Sequence, residues 1–125
     1  MRKRPFSPKQ VSALRKVLID NPRDTALLNT AISTCLRSSD LLALKVCDVR
    51  SKWGEILEQI EVKMQKTSKM VTCQLSDIAQ DSLEKWIRVV GKEPDDYLFT
   101  SMRGGKKPIT SVAYRKIVKR WCVEC

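Results

Sequence analysis

No histidine occurs among the 125 residues, and this absence weighs against a zinc site of the mixed cysteine and histidine type. Cys122 and Cys125 have the spacing of a ligand pair, but the sequence contains no second pair with that spacing. We therefore expect neither a metal site nor a cofactor. The cysteine count is odd, and most of the cysteines fall within apolar patterns, which predicts reduced, buried thiols in a cytoplasmic protein.

Long apolar runs are also missing. The sequence has no stretch of the length that a membrane helix needs, and the charged start at Met1–Arg4 is followed by Pro5–Pro8 instead of the apolar core of a signal peptide. We expect no membrane partner.

Acidic residues are scarce relative to basic ones, with 14 Asp and Glu against 24 Lys and Arg, which gives a net charge of +10. This excess favours a polyanionic partner such as nucleic acid, although a basic protein without such a partner has the same composition. The acidic residues are spread along the chain, so it is not a disordered basic tail. The length predicts a single domain over residues 1–125.

Apolar periodicity and capping residues predict a mainly helical α+β fold. Ser7 and Pro8 begin a first helix, Ser76 and Gly91 bracket a later one, and Thr110 or Ser111 caps the last. The predicted helices cover residues 7–20, 22–37, 39–44, 76–91 and 110–125.

Two stretches change to the alternating period of half-buried strands. Ile60, Val62 and Met64 alternate with polar residues, as do Val71 and Cys73. A brief strand near 46–49 is expected to complete a small three-stranded antiparallel sheet. Residues 66–68 then fall at or beside the hairpin turn.

One arginine, Arg37, ends an apolar run that resumes after Asp40. A guanidinium between two buried segments needs an anionic partner, and Asp40 lies within reach across one helical turn. Two interpretations remain open. The pair is purely structural, or Asp40 holds Arg37 so that its remaining donors face a phosphate.

Three stretches, in this order, resemble the tyrosine recombinase, or phage integrase, family. TCLRSSDLLALKVCDV (34–49) is similar to the family's first arginine box, with Cys35 where glycine is usual. QKTSKMVTCQLS (65–76) resembles the hairpin that carries a catalytic lysine, and YLFTSMRGGKKPIT (97–110) resembles the loop before the next helix. The resemblance runs from about Pro5 to Cys125.

This resemblance implies a role for each matching residue in metal-independent breaking and rejoining of double-stranded DNA. Arg37 would clamp the phosphate, Asp40 would orient Arg37, and Lys66 would be the general acid, with Lys69 in its place if the hairpin register is shifted. Charge and position alone favour an ordinary solvated lysine of a turn at Lys66, and the order of the three motifs is what favours the catalytic role. The expected DNA-contacting residues are Lys63, Lys69, Arg103, Lys106 and Lys107.

The family's later boxes, a histidine-x-x-arginine motif and a nucleophilic tyrosine, have no counterpart here, and neither Tyr97 nor Tyr114 stands in such a motif. We therefore expect the N-terminal portion of an integrase-like catalytic domain without its C-terminal part, either a fragment or a naturally truncated gene product. No separate N-terminal core-binding domain is expected. This polypeptide alone should be inactive, and it should be marginally stable or associate through an exposed C-terminal face.

Three functions follow from these expectations. The first is site-specific recombination or integration of a prokaryotic or phage-type mobile element by the intact protein. The alternative is a non-catalytic basic DNA-binding module. The third is a basic interaction protein without a nucleic-acid role. Steep weakening of binding by salt separates the first two from the third.

Overall fold

A computed structural model describes residues 8–18, 20–100 and 107–124, with the side chains of 121–124 left out. Helices dominate this part of the chain, and one antiparallel hairpin interrupts them, so the predicted mainly helical α+β class is confirmed. The elements, in chain order, are α1 (Pro8–Val17), α2 (Pro22–Thr34), α3 (Ser38–Leu42), α4 (Val46–Val49), β1 (Gln59–Lys63), β2 (Met70–Gln74), α5 (Asp77–Val90) and α6 (Ser111–Glu124).

The first helices begin where local chemistry predicts. Proline opens α1 and α2, because a missing N–H costs nothing in a first helical turn. The Asn21 side chain caps α2 by accepting the Asp24 backbone N–H at 3.1 Å. Leu14 of α1 is buried as expected, whereas Val17 is 48% exposed and does not belong to the core.

The sheet has two strands instead of the expected three. β1 and β2 pair in antiparallel register, with Ile60 opposite Cys73 and Lys63 opposite Met70. The stretch predicted as a third strand is the short helix α4. Its Asp48 carboxylate accepts the Lys45 backbone N–H at 2.8 Å, which caps a helical turn.

Helix α2 packs extensively against α5 in the core. Ser76 caps α5 by accepting the Ala79 N–H at 3.2 Å, and Gly91 ends it in the left-handed conformation at φ 66°. Trp86 is buried, and its indole N–H donates to the Leu98 carbonyl at 2.7 Å. The sequence pattern therefore predicted this helix and its two ends.

The last helix, α6, begins with Thr110, whose hydroxyl accepts the Ala113 N–H at 3.1 Å. Ile117 is buried against the core, and the helix contacts α3 and α1. Val112 is 59% exposed, whereas Ala113 and Tyr114 pack against the core. The first turn of α6 is therefore only partly turned outward.

The prediction that most cysteines are buried is wrong for the described ones. Cys73 is buried, but Cys35 and Cys47 are exposed because each lies at a helix end or on a short surface helix. No helix within the described residues combines the length and apolarity needed to cross a membrane.

Candidate active site

The turn that presents Arg37 depends on a left-handed residue. Helix α2 ends at Thr34, and Cys35 follows at φ 56° and ψ 25°, with its N–H donated to the Ala31 carbonyl at 2.9 Å. Cysteine in this conformation costs about 1–2 kcal/mol, which glycine would not pay. The turn therefore keeps a shape that suits glycine, although cysteine occupies this position.

Arg37 lies between this turn and α3, where it is the extended N-cap residue at φ −66° and ψ 155°. Its side chain is exposed, whereas Asp40 is only 3% exposed. Within the described residues the ion pairs are Arg23–Asp24 and Arg88–Glu84, so the expected Arg37–Asp40 pair does not form. Because the guanidinium reaches water, it needs no internal partner.

Asp40 instead joins α3 to the hairpin. Its Oδ1 accepts the backbone N–H of Gln65 at 3.0 Å, and the Gln65 side-chain amide reaches the Ser39 carbonyl at 3.5 Å. A buried carboxylate that accepts a backbone N–H forms a charge-assisted bond, stronger than one between neutral groups. The tip of the hairpin is therefore held against the first turn of α3.

Lys66 follows Gln65 directly, in the loop between the strands. The loop closes through two backbone bonds of 2.8 Å, from Met64 N–H to the Lys69 carbonyl and from Ser68 N–H to the Met64 carbonyl. Lys66 is exposed, and no described residue gives it a hydrogen bond or ion-pair partner. Lys66 is one residue from the held Gln65 amide, whereas Lys69 is four residues from it.

The remaining basic residues predicted to contact DNA divide into two groups. Lys63 and Lys69 are exposed on the same hairpin as Lys66. Lys107 is exposed at the base of a second loop, where Thr100 pairs with Pro108. Arg103 and Lys106 lie outside the described residues.

Lys92 was missed by sequence reasoning, which placed it in an ordinary loop. It is 7% exposed, its Nζ donates to the Thr100 hydroxyl at 2.7 Å, and it lies 5.6 Å from the centre of the Trp86 ring. Burial lowers the pKa of Lys92, and the nearby Asp96 carboxylate opposes part of that shift. No local pattern marks this lysine as buried, because its partners come from α5 and from the strand-like segment around Thr100.

A surface cleft of about 400 Å³ contains Lys92 but none of the predicted site residues. Arg50, Ile56 and Ile87 contribute to its lining, together with Glu84, Arg88 and Glu93. The two predicted catalytic residues therefore lie on an open surface and not in this cleft.

Neither tyrosine is placed like an activated nucleophile. Tyr97 is half-buried with the Lys45 ammonium 5.3 Å from its ring centre. Tyr114 packs against the core, and burial raises the pKa of its hydroxyl, which makes the phenolate harder to form.

A sequence model described as the phage integrase family matches residues 5–125. Among the solved structures that match is one titled "Crystal structure of XerA recombinase", with a TM-score of 0.80 and 17% sequence identity. The likeness covers 99% of this chain and 44% of that chain, so the present sequence spans less than half of its length. At this identity the likeness establishes the fold. No curated protein matches the chain significantly.

Proposed function

Because the chain belongs to the phage integrase family, we propose that it is part of an enzyme that breaks and rejoins double-stranded DNA at specific sites. The chain would supply a DNA-binding surface and the first part of a catalytic domain, and the intact protein would act in the cytoplasm on a mobile element. The proposal needs no metal ion, because fixed cations can stabilise the charge that develops on the phosphate.

The observation that supports this function most directly is the bond from Gln65 N–H to Asp40. It holds the first turn of α3, which follows Arg37, beside the loop that bears Lys66. Both cations are exposed and without partners among the described residues. Two such cations on neighbouring segments would suit the binding of a phosphodiester.

Each cation would have a distinct task in the transesterification. The Arg37 guanidinium is always charged and would bind both non-bridging oxygens, so it stabilises the crowded, negative phosphorus centre. The Lys66 ammonium would donate a proton to the sugar oxygen as that oxygen leaves. Asp40 does not react; it would position Lys66 by fixing Gln65, instead of orienting Arg37 directly.

Cleavage of a suicide DNA substrate by a full-length recombinase containing this chain tests the proposal. Arg37→Ala should lower the cleavage rate about 10²–10³-fold, while duplex affinity stays nearly unchanged. Lys66→Ala should lower the cleavage rate about 10²–10⁴-fold. Lys85→Ala removes an exposed lysine of α5 and serves as the control with wild-type cleavage. Unimpaired cleavage by either site variant would remove that residue from the mechanism.

The 125-residue polypeptide by itself should not form a covalent adduct with DNA. It has no histidine, and its two tyrosines are half-buried or packed on the core. A covalent adduct formed by this polypeptide alone would contradict the assignment. A different result would favour the alternative of a non-catalytic DNA-binding module. In that case the 125-residue polypeptide binds duplex DNA, and neither site substitution changes the cleavage rate of the full-length protein.

Self-association through the C-terminal face is part of the same proposal. Val112 at the start of α6 leaves apolar surface exposed. Sedimentation that is independent of protein concentration would count against it.

A further inference from the structure

Two cysteines lie on adjoining segments, at the end of α2 and in β2. The Ser33 hydroxyl donates to the Gln74 carbonyl at 2.7 Å and accepts the Ser76 N–H at 2.9 Å. Cys35 lies two residues after Ser33, and Cys73 directly precedes Gln74. The two hydrogen bonds therefore bring the backbones that bear both thiols to one place.

Electrostatics agree with this placement. The pKa of Cys73 is raised, chiefly by burial and further by the negative charge of Cys35. An effect between charges is largely screened beyond about 10 Å, so its presence agrees with two thiols on adjoining segments. Cys35 is exposed and Cys73 is 7% exposed, which makes Cys35 the thiol that a soluble reagent meets first.

We propose that Cys35 and Cys73 form a reversible disulfide when a peroxide oxidises Cys35. The Cys35 thiolate attacks a peroxide oxygen, the O–O bond breaks, and an alcohol or water leaves, so that Cys35 becomes a sulfenic acid. The Cys73 sulfur, giving up its proton, attacks the Cys35 sulfur, the S–O bond breaks, and water leaves. Two thiols and one peroxide thus yield one disulfide, one alcohol or water, and one further water.

The bond would constrain the turn that presents Arg37, which lies two residues after Cys35. It would join this turn to β2, one strand of the hairpin that bears Lys66. A role for the disulfide in controlling DNA cleavage rests on the proposed function, whereas its formation does not. The bond forms only if the two Cα atoms come within about 7 Å.

Peptide mapping by mass spectrometry after hydrogen peroxide treatment tests the inference. The expected result is one intramolecular cross-link between the peptides of Cys35 and Cys73, with a loss of two hydrogens that dithiothreitol reverses. Cys35→Ser and Cys73→Ala should abolish it, and Cys47→Ser, which removes another exposed thiol, should retain it. Oxidation of Cys47 without this cross-link, or pairing of Cys35 with a different cysteine, would overturn the proposal.

Amide hydrogen exchange tests the constraint on the turn. Exchange in residues 34–37 should slow several-fold in the oxidised wild-type protein and should not change in peroxide-treated Cys73→Ala. Unchanged exchange in a protein with the mapped disulfide would overturn the link to Arg37. Neither measurement involves DNA. A negative result would therefore count against the disulfide without bearing on the proposed recombinase role.

Discussion

At the scale of single residues, the turn before Arg37 depends on an unfavourable backbone conformation, and the loop that bears Lys66 contains another at Ser68, with φ 58°. Cys35 occupies the left-handed region at φ 56° with an exposed side chain, so it contributes strain and little burial. The sequence alone marked this position as unusual only through the family resemblance. It could not show that the turn keeps its shape, because that depends on the Cys35 N–H finding the Ala31 carbonyl.

Replacing Cys35 with glycine should stabilise the protein by about 1 kcal/mol, because glycine adopts the left-handed conformation without a Cβ clash. Urea unfolding of the reduced protein measures the change. Cys47→Gly is the matched control, since this exposed position lies in helix α4 and the same substitution should destabilise by roughly 0.3 kcal/mol. Equal effects at the two positions would show that the turn is not strained.

The buried ammonium of Lys92 predicts a dependence of stability on pH. Its pKa in the folded protein lies below the ordinary lysine value of 10.5, so between these values the unfolded chain binds more protons. The free energy of unfolding must then rise with pH across that window. Lys92→Met removes this pH-dependent contribution to the free energy of unfolding. The stability of the variant relative to the wild-type protein should therefore be highest near neutral pH and decline towards pH 10.5.

Urea unfolding at several pH values measures this difference. The Lys85→Met variant, which alters an exposed lysine, should show a difference from wild type that does not vary with pH. A constant difference for Lys92→Met as well would mean that the Lys92 pKa is not lowered.

At the scale of elements, the sequence predicted what neighbouring residues decide. The starts at Pro8 and Ser76 and the end at Gly91 follow from capping chemistry within one helical turn. Helix α4 was mistaken for a strand, because the Val46 N–H binds the Asp96 carbonyl from a distant loop. Arg37 was expected to be shielded from solvent and paired with Asp40, but it is exposed, and Asp40 instead accepts the Gln65 N–H from 25 residues away, which local sequence does not show.

The contact between α3 and the hairpin can be tested through that acceptor. Asp40→Ala leaves the Gln65 N–H without its partner and should destabilise the protein by about 1–3 kcal/mol. Asp40→Asn keeps an acceptor oxygen and should cost less. Amide exchange at Gln65, measured by NMR, should accelerate more in Asp40→Ala than in Asp40→Asn. If neither variant changes this exchange, the bond does not hold the hairpin.

At the scale of the whole molecule, a net charge of +10 combines with exposed lysines on the hairpin. Composition predicted a polyanionic partner, but it could not say which cations share a surface, because that depends on the register of β1 and β2. If the hairpin contacts DNA, each lysine bound to a phosphate releases a counterion on binding.

The logarithm of the affinity for duplex DNA should therefore fall linearly with the logarithm of the salt concentration. Lys63→Ala and Lys69→Ala should each reduce the slope by about 0.9, and Lys85→Ala should leave it unchanged. Fluorescence anisotropy over a series of salt concentrations measures the slopes. A slope near zero for the wild-type chain would instead favour a basic interaction protein without a nucleic-acid role.

The central claim is that Arg37 and Lys66 act on the same phosphodiester, and a substrate with a 5′-bridging sulfur tests it most directly. A sulfur leaving group needs no proton, whereas charge on the non-bridging oxygens still needs a guanidinium. In the full-length recombinase, Lys66→Ala should cleave this substrate at nearly the wild-type rate, and Arg37→Ala should stay about 10²–10³-fold slower. If sulfur rescues neither variant, or rescues both equally, the two side chains do not share one phosphate in these roles.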